Sequence, residues 1–231
     1  VPDVANPFFT MVVRAAEEVA RRGGYRVILC DTRADLGVER DVVEELIAHR
    51  VEGIVIAPVS NRSGTHLRRM DSFGVPCVLV DRTLPGAETD AVVGDSVGGA
   101  RRLVEHLISL GHRRIGLIVE SDEVSTARDR RRGYGDALAA AGIPLDEELV
   151  VETTVDPEGG AEGMMQLLGR ERRPSAVFTV NNLVALGAIE ARYAQIDDEL
   201  AVGAVMAGLP ARERRILTMR FYDEMTQASI A

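Results

Sequence analysis

Side chains with ligand-binding chemistry follow the short apolar runs that are typical of buried strands. In an open sheet of parallel strands the carboxyl ends share one rim, and ligands bind at that rim. Carboxylates and amides accept or bridge hydroxyl groups, arginine donates several hydrogen bonds in one plane, and an aromatic ring covers an apolar face. This combination predicts a neutral, hydroxyl-rich ligand such as a sugar or a nucleoside. The residues are Asp3, Asn6, Phe9, Asp31, Thr32, Ser60, Asp81, Arg82, Asp95, Ser121, Ser125, Asn181 and Asn182.

The sequence shows no catalytic or metal-binding pattern beside these residues. Ser60 lacks the Gly-x-Ser-x-Gly elbow of serine hydrolases, and the glycine pairs form neither a P-loop nor the Gly-x-Gly-x-x-Gly of dinucleotide sites. The four histidines are scattered, without the i,i+4 or Cys–His spacing of a metal site. We therefore expect no enzymatic activity, no metal and no cofactor.

Residues 74–119 show most clearly the elements that must position the polar side chains. Short apolar runs bounded by Pro, Gly or Asp are typical of strands buried on both faces. Between two such runs, apolar residues recur with a 3.6-residue period over residues 98–108, which predicts an amphipathic helix. Asp95 and Ser96 can cap its first turn, and Gly111 can take the left-handed position past its end. The strands are predicted at 77–80, 91–93 and 115–119.

The same alternation of strand and helix continues to about residue 193. Asn6 and Pro7 open the first helix, because Asn caps well and Pro at the first helical position has no N–H to leave unpaired. Repeated strand–helix–strand order predicts parallel sheets with helices on both faces, and the order occurs twice. The predicted class is α/β, with two Rossmann-like lobes. Further strands are predicted at 25–30, 53–57, 149–155 and 176–180, and further helices at 40–49, 66–73, 127–141, 161–168 and 183–193.

Composition limits the classes of protein to which the chain can belong. Of its 231 residues, 46% are hydrophobic, which is enough for a substantial core. The net charge of −9 argues against a stand-alone nucleic-acid binder. No apolar run is long enough for a membrane span, and no signal segment is recognisable. Cys30 and Cys77 fall in predicted buried strands, which indicates core packing in a reducing cytosol.

Three stretches in a fixed order resemble the effector-binding core of LacI/GalR-type transcription regulators, which has the type I periplasmic-binding-protein fold. The first is VPDVANPFFTMVVRAAEEVARRGGYRVILCDT, the second is an Asp-x-x-Gly-Gly entry with RRLVEHLISLGH and RRIGLIV, and the third is STARDRRRGYGDAL followed by VFTVNNLVALGAI. The resemblance implies an N-terminal lobe at 1–112, a truncated C-terminal lobe at 113–192 and a small effector between them. It also implies a homodimer that contacts DNA only through an N-terminal headpiece absent from this chain.

The resemblance implies roles for four of the candidate residues. Phe8 and Phe9 lie in the first turn of the first helix, and the family pattern favours Phe9 as the residue that stacks on the ligand, with core packing as the alternative. Arg130, three residues before Gly133, matches the family's sugar-binding arginine and can form bidentate bonds to adjacent hydroxyls. Asn181 matches a ligand-binding position, although Asn at such a place also caps helices.

The remaining predicted ligand-binding residues are chosen for their places at strand ends. They are Asn6, Asp81, Asp95 and Ser125. For the two aspartates the alternative is a turn or a helix cap, which are the common roles of Asp after a strand.

From about residue 195 the sequence departs from this family. The segment LPARERRILTMRFYDEMTQASIA resembles the start of region four of bacterial sigma factors, and its apolar spacing predicts a short all-α tail at 193–231. A contact with RNA polymerase through this tail is one implication, and a solvated arginine face is the simpler alternative. A fusion, a recombined gene or a mis-joined sequence would each explain the change from one resemblance to the other.

These observations predict a cytoplasmic ligand-sensing core of a LacI-type regulator. Binding of a sugar-like effector would close the two lobes and shift the population of a dimer, in proportion to the effector's preference for the closed form. An exported sugar-binding protein of a transporter is the first alternative, since it would use the same lobes. A chimeric fragment with a polymerase-binding tail is the second.

Overall fold

A computed structural model of the chain describes residues 1–197, so the predicted tail lies almost entirely outside the described residues. That part contains seven helices and six strands, with short 3₁₀ turns at Asn61–Ser63 and Glu147–Leu149. The helices are α1 (Pro7–Arg22), α2 (Leu36–Ala48), α3 (Gly64–Ser72), α4 (Ser96–Ser109), α5 (Ser125–Ala140), α6 (Pro157–Leu168) and α7 (Asn182–Asp197). The strands are β1 (Ile54–Ile56), β2 (Cys77–Val80), β3 (Asp90–Val92), β4 (Ile115–Val119), β5 (Val150–Glu152) and β6 (Ala176–Thr179).

The strands form two separate three-stranded parallel sheets. In the first sheet β2 lies between β1 and β3, with Val80 paired to Val92. In the second sheet β4 lies between β5 and β6, with Val119 paired to Glu152. All the paired strands are parallel, so the strands of each sheet end at a common rim. The predicted α/β class with two lobes of parallel sheet is confirmed.

Side-chain caps set the starts of α2 and α6, which both begin four residues earlier than their apolar spacing suggested. Asp35 caps α2 by accepting a hydrogen bond from the Val38 N–H at 2.8 Å. Asp156 caps α6 by accepting from the Gly159 N–H at 2.7 Å, with Pro157 at the first helical position. Asp is among the best capping residues, because its carboxylate satisfies an N–H that the helix itself leaves unpaired.

Each sheet has its own hydrophobic core, and α4 belongs to the second one. The first core contains Val43 of α2, Met70 of α3 and Leu79 of β2. The second core contains the whole of β4, together with Val104 of α4 and Tyr134 of α5. We therefore place the boundary between the lobes before α4, whereas the sequence suggested residue 112. The apolar stripe of a helix shows that one face is covered, but not which sheet covers it.

Two strands predicted to be buried on both faces differ in the structure. Residues 25–30 form no ladder with a strand within residues 1–197, although Val1 lies beside their end, where its amino group donates to the Cys30 carbonyl at 2.8 Å. All three residues of β3 are exposed, and Val92 is 68% exposed. Cys30, at the end of residues 25–30, is half-buried, and so is Cys77 at the start of β2, whereas both were expected to be buried. An apolar run is buried on both faces only where other elements cover both faces. The sequence of the run does not show whether such elements are present.

Glycines let α6 and α7 approach each other at backbone distance. A Cβ atom on Gly187 would lie 1.6 Å from the Pro157 carbonyl oxygen, and one on Gly160 would lie 2.2 Å from the Val184 carbonyl oxygen. Because both obstacles are backbone atoms, a side chain at either position forces the two helices apart.

We expect Gly187→Ala to lower the free energy of unfolding by about 3 kcal/mol, the upper part of the usual range for overpacking. Gly135→Ala is the matched control, because Gly135 lies within α5 and has no described atom within 4 Å of the position of a Cβ. That change should stabilise the protein by up to about 1 kcal/mol through helix propensity. Urea unfolding followed by circular dichroism measures both, and equal effects of the two changes would contradict the packing argument.

A bilayer-spanning helix is not found among the described residues, since none of these helices combines the required length and apolar character.

Candidate functional site

Four charged side chains meet where loops of the two lobes face each other. Asp81 and Arg82 follow β2 in the first lobe, and Glu120 follows β4 in the second. Arg82 lies 3.8 Å from the Asp81 carboxylate through Nε and 3.9 Å from the Glu120 carboxylate through Nη2. Arg130, on the second turn of α5, interacts electrostatically with both carboxylates. The side chains of Asp81, Arg82 and Glu120 are only 16%, 10% and 13% exposed, so these charges interact with little screening by water. We call Asp81, Arg82, Glu120 and Arg130 the charge cluster.

Asp81 owes its position to a tight turn at the end of β2. The Arg82 N–H donates to the Val80 carbonyl at 2.7 Å, which closes a three-residue turn around Asp81. Asp81 takes a φ of 65°, in the left-handed region that Asp tolerates better than most residues. Its own N–H donates to the Val92 carbonyl at 2.9 Å and so continues the pairing with β3. Such strained residues concentrate at functional sites, where the surrounding structure holds them in place.

Arg82 is fixed by the backbone of the loop after β1. Its Nη1 donates to the carbonyls of Pro58 and Val59 at 3.0 and 3.2 Å. The Val59 N–H in turn donates to the Glu39 carboxylate at 2.7 Å, and His66 Nε2 lies 2.8 Å from the other Glu39 oxygen. Glu39 is fully buried. A buried, hydrogen-bonded carboxylate on α2 thus holds the loop that orients Arg82.

Arg130 spans the space between α5 and the end of β6. Its Nη1 donates to the carbonyl of Val180 at 2.9 Å, and Val180 directly precedes Asn181 in the sequence. The Asn181 side chain accepts from the Val184 N–H at 2.8 Å and caps α7. One nitrogen of the Arg130 fork is therefore used by the backbone, and the guanidinium as a whole interacts electrostatically with Asp81 and Glu120.

Burial and charge act in opposite directions on the cluster. Burial raises the pKa of the Asp81 and Glu120 carboxyls, and Arg82 and Arg130 oppose this rise. Burial lowers the pKa of the Arg130 guanidinium, and Asp81 and Glu120 oppose that fall. Burial is the larger effect for each of these three groups, and the opposite charges of the cluster reduce the pKa shift that it causes.

Two backbone contacts connect the lobes next to the cluster. The Thr83 N–H donates to Ser125 Oγ at 2.9 Å, and the Asn61 N–H donates to the Glu123 carbonyl at 2.8 Å. Asn61 Oδ1 and Arg82 Nε are buried and have no hydrogen-bond partner within residues 1–197. A buried acceptor and a buried donor left unpaired are groups that a bound hydroxyl would satisfy.

The first turn of α5 adds unpaired donors at the same place. α5 begins after Val124, and no side chain accepts a hydrogen bond there from the N–H groups of its first turn. Ser125, Thr126 and Ala127 of that turn are buried. The free N–H groups and the helix dipole favour an oxygen atom of a ligand at this end.

The structure brings some of the predicted ligand-binding residues together and separates others. Asp81 and Arg130 belong to the charge cluster, Ser125 contacts the loop that follows Asp81, and Asn181 adjoins the carbonyl that binds Arg130. Asp95 accepts from the Gly98 N–H at 2.7 Å as the cap of α4, and its side chain is 67% exposed.

The other predicted residues lie at the start of α1. Asn6 accepts from the Phe8 N–H at 3.0 Å and caps that helix. Phe9 is buried and Phe8 is 40% exposed, with their rings edge to face at 5.1 Å between centroids. The contacts of Phe9 are thus those of a packed ring, and a stacking role on a ligand remains a prediction.

Sequence reasoning missed Glu120 and Glu39. Glu120 directly follows the buried strand β4, so the strand-end rule that selected Asp81 would also have selected it. Glu39 stands three residues after Leu36 and four before Val43, on the apolar stripe of α2. An acidic residue in such a stripe indicates a buried, partnered carboxylate. Arg82 was noted at a strand end but was not chosen as a ligand-binding residue.

Metal-binding groups of three or more His, Cys, Asp or Glu side chains are absent from the part of the chain that the structure describes. The charge cluster has only two carboxylates and has two guanidinium groups, so it is not a cation site.

The chain matches two family profiles. The profile described as periplasmic binding proteins and sugar binding domain of LacI family covers residues 1–208, and the profile of sigma-70, region 4 covers residues 205–231. The HTH-type transcriptional regulator GalR of Salmonella typhimurium is 38% identical over 190 residues, which span 82% of this chain and 55% of that relative. The chain thus spans about half of that relative's length.

Two solved structures share the fold and carry sugars. A LacI family transcriptional regulator from Enterococcus faecium with bound ribose has a TM-score of 0.74 and 26% identity, over 84% of this chain and 70% of that one. The Cra transcriptional dual regulator from Pseudomonas putida, in complex with fructose 1-phosphate, has a TM-score of 0.75 and 25% identity, over 84% of this chain and 72% of that one.

Proposed function

The chain belongs to the family of periplasmic binding proteins and LacI-type sugar-binding domains, and we propose that it is the ligand-sensing core of a transcription regulator. The proposed ligand is a small sugar-like effector, a sugar or a nucleoside, held between the two lobes. The observation that carries this proposal is the charge cluster, because residues of both lobes contribute to it and three of its four members follow strands.

The chemistry of the cluster suits a molecule with several hydroxyl groups. The remaining N–H groups of Arg130 can donate to two adjacent hydroxyl oxygens, and the Asp81 and Glu120 carboxylates can accept from hydroxyl hydrogens. The free N–H groups at the start of α5 supply further donors. A neutral ligand can form these bonds without leaving any of the four charges unpaired.

The regulatory step follows from the position of the site between the lobes. A ligand that contacts both lobes binds the closed arrangement more tightly than an open one. It shifts the populations of the two arrangements only by the difference between these two affinities. In the proposed regulator, the closed lobes alter DNA binding by a headpiece on another segment. The similarity to GalR supports a cytoplasmic regulator rather than an exported transport protein.

A homodimer is part of this proposal, and α1 offers a contact surface for it. Met11 and Val19 of α1 are 65% and 68% exposed, and burial of such residues against a second copy would be favourable. The apolar residues Leu67 and Met70 of α3 are buried in the first core and are therefore not part of this surface. Sedimentation velocity of the chain tests the dimer directly.

A thermal-shift screen tests the proposed function. We expect at least one member of a panel of pentoses, hexoses, disaccharides and nucleosides to raise the melting temperature of the chain. A ligand present at 100 times its Kd stabilises the folded state by about 2.7 kcal/mol, which is readily detected. A panel without any stabilising member would contradict the proposal.

A further inference from the structure

We propose that Glu120 makes this site selective for uncharged ligands and excludes phosphorylated ones. This inference rests on the proposed function, since it names the class of sugar that the same site accepts. The two similar regulators carry ribose and fructose 1-phosphate respectively, so the fold itself does not decide between these classes.

The charges of the cluster already balance without a ligand. Arg82 and Arg130 bring two positive charges, and the carboxylates of Asp81 and Glu120, both beside Arg82, bring two negative charges. Arg82 is held at 3.8 Å from the Asp81 carboxylate and 3.9 Å from the Glu120 carboxylate. A phosphate group would carry up to two more negative charges into this place, beside two buried carboxylates. Like charges brought together in a poorly solvated site repel strongly, and a neutral sugar avoids this repulsion.

The charge of Glu120 can be removed without changing a backbone turn, whereas the charge of Asp81 cannot. Asp81 lies inside the strained turn after β2, so its replacement would also change the turn. Glu120 immediately follows β4 and acts on Arg82 and Arg130 through its charge. Removal of its charge leaves two guanidinium groups facing one carboxylate, and an anion would then restore neutrality.

The donors at the start of α5 do not by themselves select an uncharged ligand. Free N–H groups at a helix start bind hydroxyl and phosphate oxygens alike. They belong to the backbone and are therefore the same in the wild-type chain and in a Glu120 variant. A difference in phosphate affinity between the two proteins thus reports the charge of Glu120.

The test compares the 231-residue wild-type chain with Glu120→Gln by isothermal titration calorimetry. The ligands are inorganic phosphate, fructose 1-phosphate and the neutral sugars of the panel. The control is Glu152→Gln, which removes one negative charge from an exposed residue at the end of the neighbouring strand β5. We expect Glu120→Gln to bind phosphate or fructose 1-phosphate at least about tenfold more tightly than the wild type, and Glu152→Gln to match the wild type.

The outcomes separate this inference from the proposed function. Wild-type binding of a neutral sugar without any gain of phosphate affinity in Glu120→Gln overturns the inference and leaves the function standing. A gain of phosphate affinity without neutral-sugar binding by the wild type supports the inference and contradicts the function. An equal gain in Glu152→Gln also overturns the inference, because general charge would then explain it. If Glu120→Gln loses the wild-type circular dichroism spectrum, Glu120→Ala replaces it, since this change also removes the charge.

Discussion

Replacement of Arg130 by alanine is expected to weaken binding of the neutral sugar by about 10- to 100-fold. A hydrogen bond to a charged group contributes about 1.5–3 kcal/mol, and the loss of one such bond corresponds to about this range. The change also removes the bond to the Val180 carbonyl and leaves Asp81 and Glu120 with one guanidinium group instead of two. Calorimetric titration of the sugar found in the panel measures the effect.

Arg132→Ala is the matched control for this prediction. Arg132 lies on the same helix α5, but its side chain is 71% exposed and lies 3.8 Å from Asp136 on the next turn. An exposed pair of this kind contributes little, so both the sugar affinity and the stability should stay close to those of the wild type. Equal affinities of the wild type and Arg130→Ala would remove Arg130 from the ligand site.

Replacement of Glu39 by alanine is expected to lower the free energy of unfolding by about 3–5 kcal/mol, because each of two buried groups left without a hydrogen-bond partner costs about 1–3 kcal/mol. The Glu39 carboxylate accepts from the Val59 N–H at 2.7 Å and lies 2.8 Å from His66 Nε2, in a place without solvent. Alanine would leave both partners buried and unpaired. Urea unfolding followed by circular dichroism measures the change.

Two further variants show whether the partners of Glu39 cause this loss. Glu39→Gln keeps an oxygen that can accept from the Val59 N–H, so we expect it to retain more stability than Glu39→Ala. Glu45→Ala changes an exposed residue of the same helix α2 and should shift the stability by less than about 0.5 kcal/mol. A loss in Glu39→Ala no larger than that in Glu45→Ala would contradict the buried-pair interpretation.

The effect of Glu39 reaches the ligand site through the loop after β1. Val59 lies between the Glu39 carboxylate and Arg82 Nη1, since its N–H binds the first and its carbonyl accepts from the second. Arg82 in turn faces both carboxylates of the charge cluster. Glu39 is therefore a positioning residue for the site in addition to its contribution to stability.

The sequence by itself determined the α/β class, the order of the elements and the rim at which the charge cluster lies. Alternation of apolar runs and amphipathic helices is a local property of the chain, and strand–helix–strand connections have one favoured handedness. The ends of the parallel strands follow from that connectivity alone. Asp81 and Arg130 could therefore be selected from the sequence, Asp81 by the strand end and Arg130 by the family motif.

Tertiary structure alone decided which side chains face one another. The period of α4 showed an apolar face, but only packing showed that this face covers the second sheet. Asp95 and Asp81 both follow strands, yet one is an exposed cap and the other is held in a buried turn. Glu39 and Glu120 are acidic residues that usually lie in solvent, and their burial depends on partners distant in the chain. Local sequence patterns carry no information about such distant partners, because these meet only when the two lobes have folded.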